Sequence, residues 1–165
     1  MRRREGGRDI IPFSRGGRRP PHRGRVVGAA LIAAALFVAP GLDAASLVWR
    51  QSEGCRVWMV VDGDTVRAWC PGSGSQAVRL TGFDTPEVSG HCLQERAMAL
   101  AATYRLRAAL WTARRTDLPP GARRDRYDRM LAPLRIDGVG ASHLLIGAGL
   151  ARPYSGGRRG GWCSV

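Results

Sequence analysis

The sequence contains no lysine: all 26 of its basic residues are arginine. That absence is assigned to composition bias and carries little functional weight. Acidic residues are also scarce, 13 in 165, so the formal net charge is +13 and the pI is near 11.4. The imbalance argues against a cationic substrate and for a polyanionic partner, either nucleic acid or an anionic membrane surface. No apolar run reaches the ~20 residues of a full membrane span. No Cys-x-x-Cys pair occurs among the four cysteines, so metal-ligand spacing is poor. Internal repeats, a P-loop and a Rossmann glycine pattern are all missing, which removes solenoids and the common nucleotide-binding loops. What is present fits one domain with a tail, and a hydrophobic content of 44% is enough for an ordinary core.

The charge has two locations. Residues 1–25 carry nine Arg against Glu5 and Asp9, residues 26–45 carry only Asp43, and residues 46–165 carry 17 Arg against ten acids. Half of the excess therefore sits in an Arg/Gly/Pro-rich tail that cannot build a core. Val26–Ala39 is a run of fourteen uncharged residues, followed by Pro40, Gly41 and small residues up to Ser46. A basic region, a short apolar stretch and a small-residue exit read as a secretory signal over residues 26–45, with cleavage near Ala44 or Ala45. Leu42 or Asp43 would then stand at an imperfect third position before the cut. An uncleaved N-terminal membrane anchor is the alternative. In both readings the domain, residues 46–165, lies outside the cytoplasm, either periplasmic or secreted, or anchored and facing outward. Cys55, Cys70, Cys92 and Cys163 all follow the apolar stretch and are even in number. Two disulfides are favoured over a zinc site.

Arg56–Val61 and Thr65–Trp69 are β-forming runs on either side of Asp62-Gly63, a hairpin signal in which Gly supplies positive φ to a two-residue turn. That register sets Cys55 opposite Cys70, with Cα atoms ~5.5 Å apart or less, as a disulfide needs. Cys92 and Cys163 then pair by elimination. Gln76–Gly82 reads as a third strand, and a loop opens at Asp84. Gln94–Leu110 reads as an amphipathic helix with Leu93, Ala97, Leu100, Ala101 and Tyr104 on its apolar stripe. Trp111–Thr116 and Met130–Ile136 read as two more strands. Ala141–Ala148 is a short helix stopped by Gly149. Five strands with a long helix after the third predict a β-rich α+β fold, a small OB-type barrel with two helices.

Asp62, Asp64, Asp84 and Glu87 lie at turns and strand ends. Carboxylates that converge repel unless a cation neutralises them. Oxygen-only ligands favour a hard ion such as Ca²⁺ or Mg²⁺. The plainer alternative is that Asp62 and Asp64 merely serve the turn. Arg79 and Arg129 offer planar donor forks suited to phosphate, though most of the 26 Arg are expected to be solvated surface charges.

Three segments occur in order: Val61-Asp62-Gly63-Asp64-Thr65-Val66, Arg79-Leu80-Thr81-Gly82-Phe83-Asp84-Thr85-Pro86-Glu87 and Asp125-Arg126-Tyr127-Asp128-Arg129-Met130-Leu131-Ala132. They resemble the signature segments of the thermonuclease family, the staphylococcal-nuclease-like domains. Gly147-Ala148-Gly149-Leu150-Ala151 resembles the end of that family's second helix. The likeness covers about residues 55–154. It implies a five-stranded OB-fold barrel and a Ca²⁺-dependent phosphodiester hydrolase, an endo- or exonuclease acting on DNA or RNA and leaving 3′-phosphates. Carried over by motif position, Asp64 and Asp84 would give carboxylates and Thr85 its carbonyl to the metal. Glu87 would act on the attacking water, Arg79 and Arg129 on the phosphate, and Arg126 and Tyr127 would lie beside the substrate. Asp128 stands where Gly is frequent in the family, and Asp tolerates left-handed geometry better than most residues. The family's C-terminal third helix is not expected here, because Ser155–Gly161 is too rich in Gly. A monomer is expected. The competing reading is a non-catalytic OB-fold module that binds nucleic acid.

Overall fold

The computed structural model describes residues 38–163. The basic region 1–25 and residues 26–37 of the expected signal or anchor lie outside the described residues. Among the described residues no helix is long and apolar enough to cross a membrane.

The fold is β-rich α+β. Residues 38–45 are helical and lead through a 3₁₀ turn, Ser46–Val48, into β1 (Gln51–Gly54), β2 (Arg56–Val60), β3 (Thr65–Cys70), β4 (Gly74–Leu80) and β5 (Gly82–Asp84). Helix α1 (Leu93–Thr112) follows, then β6 (Arg115–Leu118), β7 (Met130–Ala132), β8 (Arg135–Ile136), β9 (Val139–Gly140), α2 (Ala141–Gly147) and β10 (Arg152–Tyr154). The ladders form three sheets, β2-β3-β4-β7, β1-β6-β8-β9 and β5-β10, and do not close into a ring. The expected five-strand count is therefore too low, for identifiable reasons. Pro133 has no N–H to donate, so the single strand expected over 130–136 breaks into β7 and β8. At Gly54 the chain leaves one sheet for another with φ +72, and a Cβ there would run into the Leu118 carbonyl. The strand expected at 111–116 starts only at Arg115, because α1 runs on to Thr112.

The β2–β3 hairpin keeps the expected register beside the cysteines, Arg56 opposite Trp69 and Val57 opposite Ala68, and then shifts by one. Trp58 is the extra residue. The shift leaves the Cys55–Cys70 disulfide intact, with Cα atoms 4.2 Å apart. It also lengthens the turn to three residues, where the amides of Val61 and Asp62 both donate to the Thr65 carbonyl. Gly63 is not at positive φ. Its glycine is required by space instead: a Cβ would lie 2.8 Å from Ala102 Cβ on α1 and 2.9 Å from Thr85 Cγ2.

The buried face of α1 is not the stripe expected from the sequence. Leu93 is 80% exposed, and Ala97, Leu100 and Ala101 also face solvent. Ala99, Ala102, Thr103, Leu106 and Leu110 pack on the sheets instead, together with Val57, Val60, Val66, Val78, Leu80, Phe83 and Leu118. Small residues on this face let the hairpin turn approach closely. Glu95 and Arg107 share it because each has partners. Glu95 accepts the His91 amide at 2.9 Å, and Arg107 donates to Asp43 and to the Val60 carbonyl. Asp43 is 4% exposed and accepts from Arg107 Nε at 3.2 Å, Trp111 Nε1 at 2.8 Å and the Val60 amide at 3.0 Å. The folded unit thus includes Asp43, upstream of the boundary expected at residue 46.

Candidate functional site

Register brings the chemistry-bearing residues together. Thr65, at the start of β3, sits opposite Arg79 on β4, and Asp84, at the end of β5, sits opposite Arg152 on β10. The Asp64 carbonyl accepts the Leu80 amide at 2.8 Å, which ties the hairpin turn to β4. Asp64 and Asp84 are 2% and 1% exposed, and a buried carboxylate needs paired charge and donors around it. Both have them. Arg79 spans the pair, contacting Asp64 Oδ1 through Nη1 and Asp84 Oδ1 through Nη2 at 3.4 Å. Asp64 also accepts from the hydroxyls of Thr65 at 3.1 Å and Thr85 at 3.0 Å. Asp84 further receives Arg152 Nη2 at 2.9 Å and Arg159 Nε at 3.2 Å.

In front of this pair lies a cleft of about 800 Å³. Asp62, Arg79, Glu87, Arg126, Tyr127, Arg129 and Arg159 line it, with Asp125 and Tyr154. The 125–129 loop is built on the Asp125 carboxylate. Its Oδ1 accepts the amides of Tyr127 at 2.9 Å and Arg129 at 3.0 Å, and its Oδ2 accepts Arg129 Nε at 2.8 Å. Burial pushes the Asp125 carboxyl upward, but the Arg129 amide and guanidinium and the Tyr127 amide outweigh it and hold its pKa below the usual value. Asp128 closes the turn at φ +61, so no alternative turn conformation is needed, and Asp takes the left-handed geometry that it tolerates better than most residues. Arg129 also donates Nη1 to the Thr65 hydroxyl at 3.2 Å, which links the loop to the carboxylate pair. The guanidinium groups of Arg126 and Arg129 lie 4.8 and 5.5 Å from the exposed Tyr127 ring. Such a cation–aromatic cluster presents a flat surface edged with positive charge.

Burial, followed by the charge of Asp64, pushes the Asp62 carboxyl up to about 6. Glu87 is half-exposed and pairs with Arg159 Nη1.

The expected residues therefore fall in two layers. Arg79, Glu87, Arg126, Tyr127 and Arg129 face one cleft, and Asp64, Asp84 and Thr85 stand behind it. The cysteines are distributed as expected, as disulfides Cys55–Cys70 and Cys92–Cys163. Cys92, Glu95 and Cys163 cluster closely, but both sulfurs are bonded to each other, so no thiolate is available to a metal there. Sequence reasoning missed Arg152 and Arg159 as partners of the carboxylates. The available signal was the Cys92–Cys163 pairing: a link that returns the C-terminal segment to residue 92 also brings it near Glu87.

No protein-family model matches the chain, and no curated protein matches it in sequence. Two disulfides in one small domain belong to a non-reducing environment.

Proposed function

We propose that the domain is an exported, Ca²⁺-dependent nuclease of the thermonuclease type, built on an OB-like barrel, that hydrolyses phosphodiesters of DNA or RNA with little sequence preference. The observation that carries this reading is the convergence of Arg79, Glu87 and Arg129 on one cleft backed by the buried Asp64–Asp84 pair. Unpaired carboxylates at that place would repel phosphate, so each needs a cation beside it.

The donor chemistry fits a hard divalent ion. Asp64 and Asp84 offer only oxygen, the donor type a hard divalent ion takes, and Thr85 stands beside them, with Arg79, Arg152 and Arg159 paired to their oxygens in this structure. These three residues would hold the ion, which supplies charge to neutralise the anion that builds on the phosphoryl oxygens. Arg79 and Arg129 bind the same oxygens from the protein side, each fixed in advance by a carboxylate partner, Asp64 or Asp125. Guanidinium groups already held in place need no reorganisation as charge develops. Glu87, on the cleft wall, takes a proton from the attacking water or orients it, a role typically worth ~10²–10⁴-fold in rate. Tyr127 and Arg126 seat the strand, and the remaining basic surface follows the backbone without reading bases.

A second reading has its own support. Arg79, Arg152 and Arg159 together neutralise the Asp64–Asp84 pair, as they would in a purely structural ion cluster of a binding module. One assay separates the two. The exported chain, disulfides intact, is incubated with single-stranded DNA and RNA, with Ca²⁺ and then with a chelator. Ca²⁺-dependent cleavage that collapses in Glu87→Ala and Arg129→Ala supports the nuclease. Binding without cleavage supports the module.

A further inference from the structure

Arg159 belongs to none of the recognised segments. After β10 the chain forms a strap over residues 155–163, held at one end by the β5–β10 pairing and at the other by Cys163–Cys92. Arg152 stiffens it from below. Its guanidinium donates to the carbonyls of Gly160 at 2.5 Å and Gly161 at 3.1 Å and lies 4.3 Å from the Trp162 ring. The Tyr154 hydroxyl donates to the Gly157 carbonyl at 2.8 Å. The strap carries Arg159 onto the cleft, where Nε meets Asp84 and Nη1 meets Glu87, and the guanidinium lies 5.7 Å from the Tyr154 ring.

The charge of the cleft depends on this residue. Without Arg159 the charged side chains lining it are Asp62, Glu87 and Asp125 against Arg79, Arg126 and Arg129, which balance. With Arg159 the lining itself carries one more guanidinium than carboxylates, and with Asp64, Asp84 and Arg152 behind it the whole site moves from net negative to balanced. We infer that Arg159 is a further phosphate-binding residue of the site, contributed by the disulfide-tethered strap, and that it makes the cleft attractive to a polyanion; this rests on the functional reading above. Arg79, on β4, is paired with Asp64 and Asp84, and Arg129, on the 125–129 loop, with Asp125, while Arg159 is paired with Asp84 and Glu87. Arg159 comes from a separate segment, is about one-third exposed, and can contact a backbone phosphate next to the one that reacts. The Cys92–Cys163 link is then what holds that contact at the cleft.

The test uses the full exported chain with Arg159→Ala, Arg159→Lys and, as a control, the exposed neighbour Arg158→Ala. Cleavage of single-stranded DNA with Ca²⁺ gives kcat and KM. Anisotropy of a fluorescent single-stranded oligonucleotide, titrated in the Glu87→Gln background without metal, gives Kd and its salt dependence. Arg159→Ala is expected to raise KM and Kd about tenfold, with a smaller change in kcat, and to reduce the salt slope by about one. Arg159→Lys should fall between, and Arg158→Ala should match the unmutated protein. A Cys92→Ala/Cys163→Ala double variant should show the same rise in KM, with no further rise when Arg159→Ala is added. Unchanged KM and Kd in Arg159→Ala, or faster cleavage with a lower Ca²⁺ requirement, overturns the inference and leaves the nuclease standing. Neither cleavage nor binding by the unmutated protein overturns both.

Discussion

Arg107 donates its Nε to Asp43 Oδ2 at 3.2 Å across 64 residues of sequence, and both side chains are buried. A buried pair of this kind adds little over a well-packed apolar pair, but removing one partner strands the other. Asp43→Ala is therefore expected to cost about 3–5 kcal/mol, measured by urea unfolding. A chain beginning at residue 46 should lose at least as much. Processing after Ala44 or Ala45 would make that same cut, so the N-terminus of the folded protein, read by mass spectrometry, should lie upstream of Asp43. A stable, fully folded product starting at Ala45 or Ser46 would refute this.

Gly63 leaves no room for a side chain between the hairpin turn and α1. Gly63→Ala should destabilise by about 1–3 kcal/mol, as overpacking does, and should weaken the proposed cleavage by moving Asp64 and Thr85 apart. Ala102→Gly removes the nearer clash, so the double variant should recover part of the loss. Equal stabilities for Gly63→Ala with and without Ala102→Gly would show that the clash is relieved elsewhere.

Asp128 holds a left-handed conformation whose cost Gly would not incur. Its ion pair with Arg124, 3.3 Å long and exposed, contributes little. Asp128→Gly should therefore lie within about 1 kcal/mol of the parent and keep its activity. Asp128→Val should lose about 1–2 kcal/mol. Melting curves for the two variants decide the matter, and a marked loss in the Gly variant would give Asp128 a role beyond the turn.

Asp125 supplies a pH dependence with a definite sign. Its folded pKa lies below the unfolded one, so its contribution is fully present above about pH 4 and fades as pH falls through the folded value. Asp125→Asn should be clearly less stable than the parent at pH 6, and the gap should narrow at pH 3. Urea midpoints at the two pH values test this; a gap that stays constant would assign the loss to hydrogen bonding alone. The same variant frees Arg129 from its carboxylate, so phosphate affinity should change with it.

The parts of this protein that were legible in the sequence are those fixed locally. Asp62 to Thr65 had to form a turn, and the chemistry of the 79–87 and 125–132 segments stands in the residue types themselves. The Cys55–Cys70 pairing followed from strand register, which survives near the cysteines because the bulge lies beyond them. The face of α1 was not legible. Ala and Leu populate both sides of that helix, and the buried side is selected by a glycine 39 positions earlier and by an Asp–Arg pair 64 positions apart. Sheet boundaries failed for a related reason: Gly54 and Pro133 break ladders whose partners are distant in sequence. Arg159 was hidden by composition, since an arginine among glycines reads as a solvated charge until a disulfide fixes where the segment lies.

The two disulfides join the first cysteine to the second and the third to the fourth. The loops they close are consecutive, neither nested nor interlocked. A chain that meets an oxidising compartment from its N-terminus onward therefore finds each correct partner as the next thiol to emerge. The native connectivity can form in order of arrival, with no wrong bond to break by slow thiol–disulfide exchange. In that order the hairpin that carries Asp64 closes before the strap that carries Arg159.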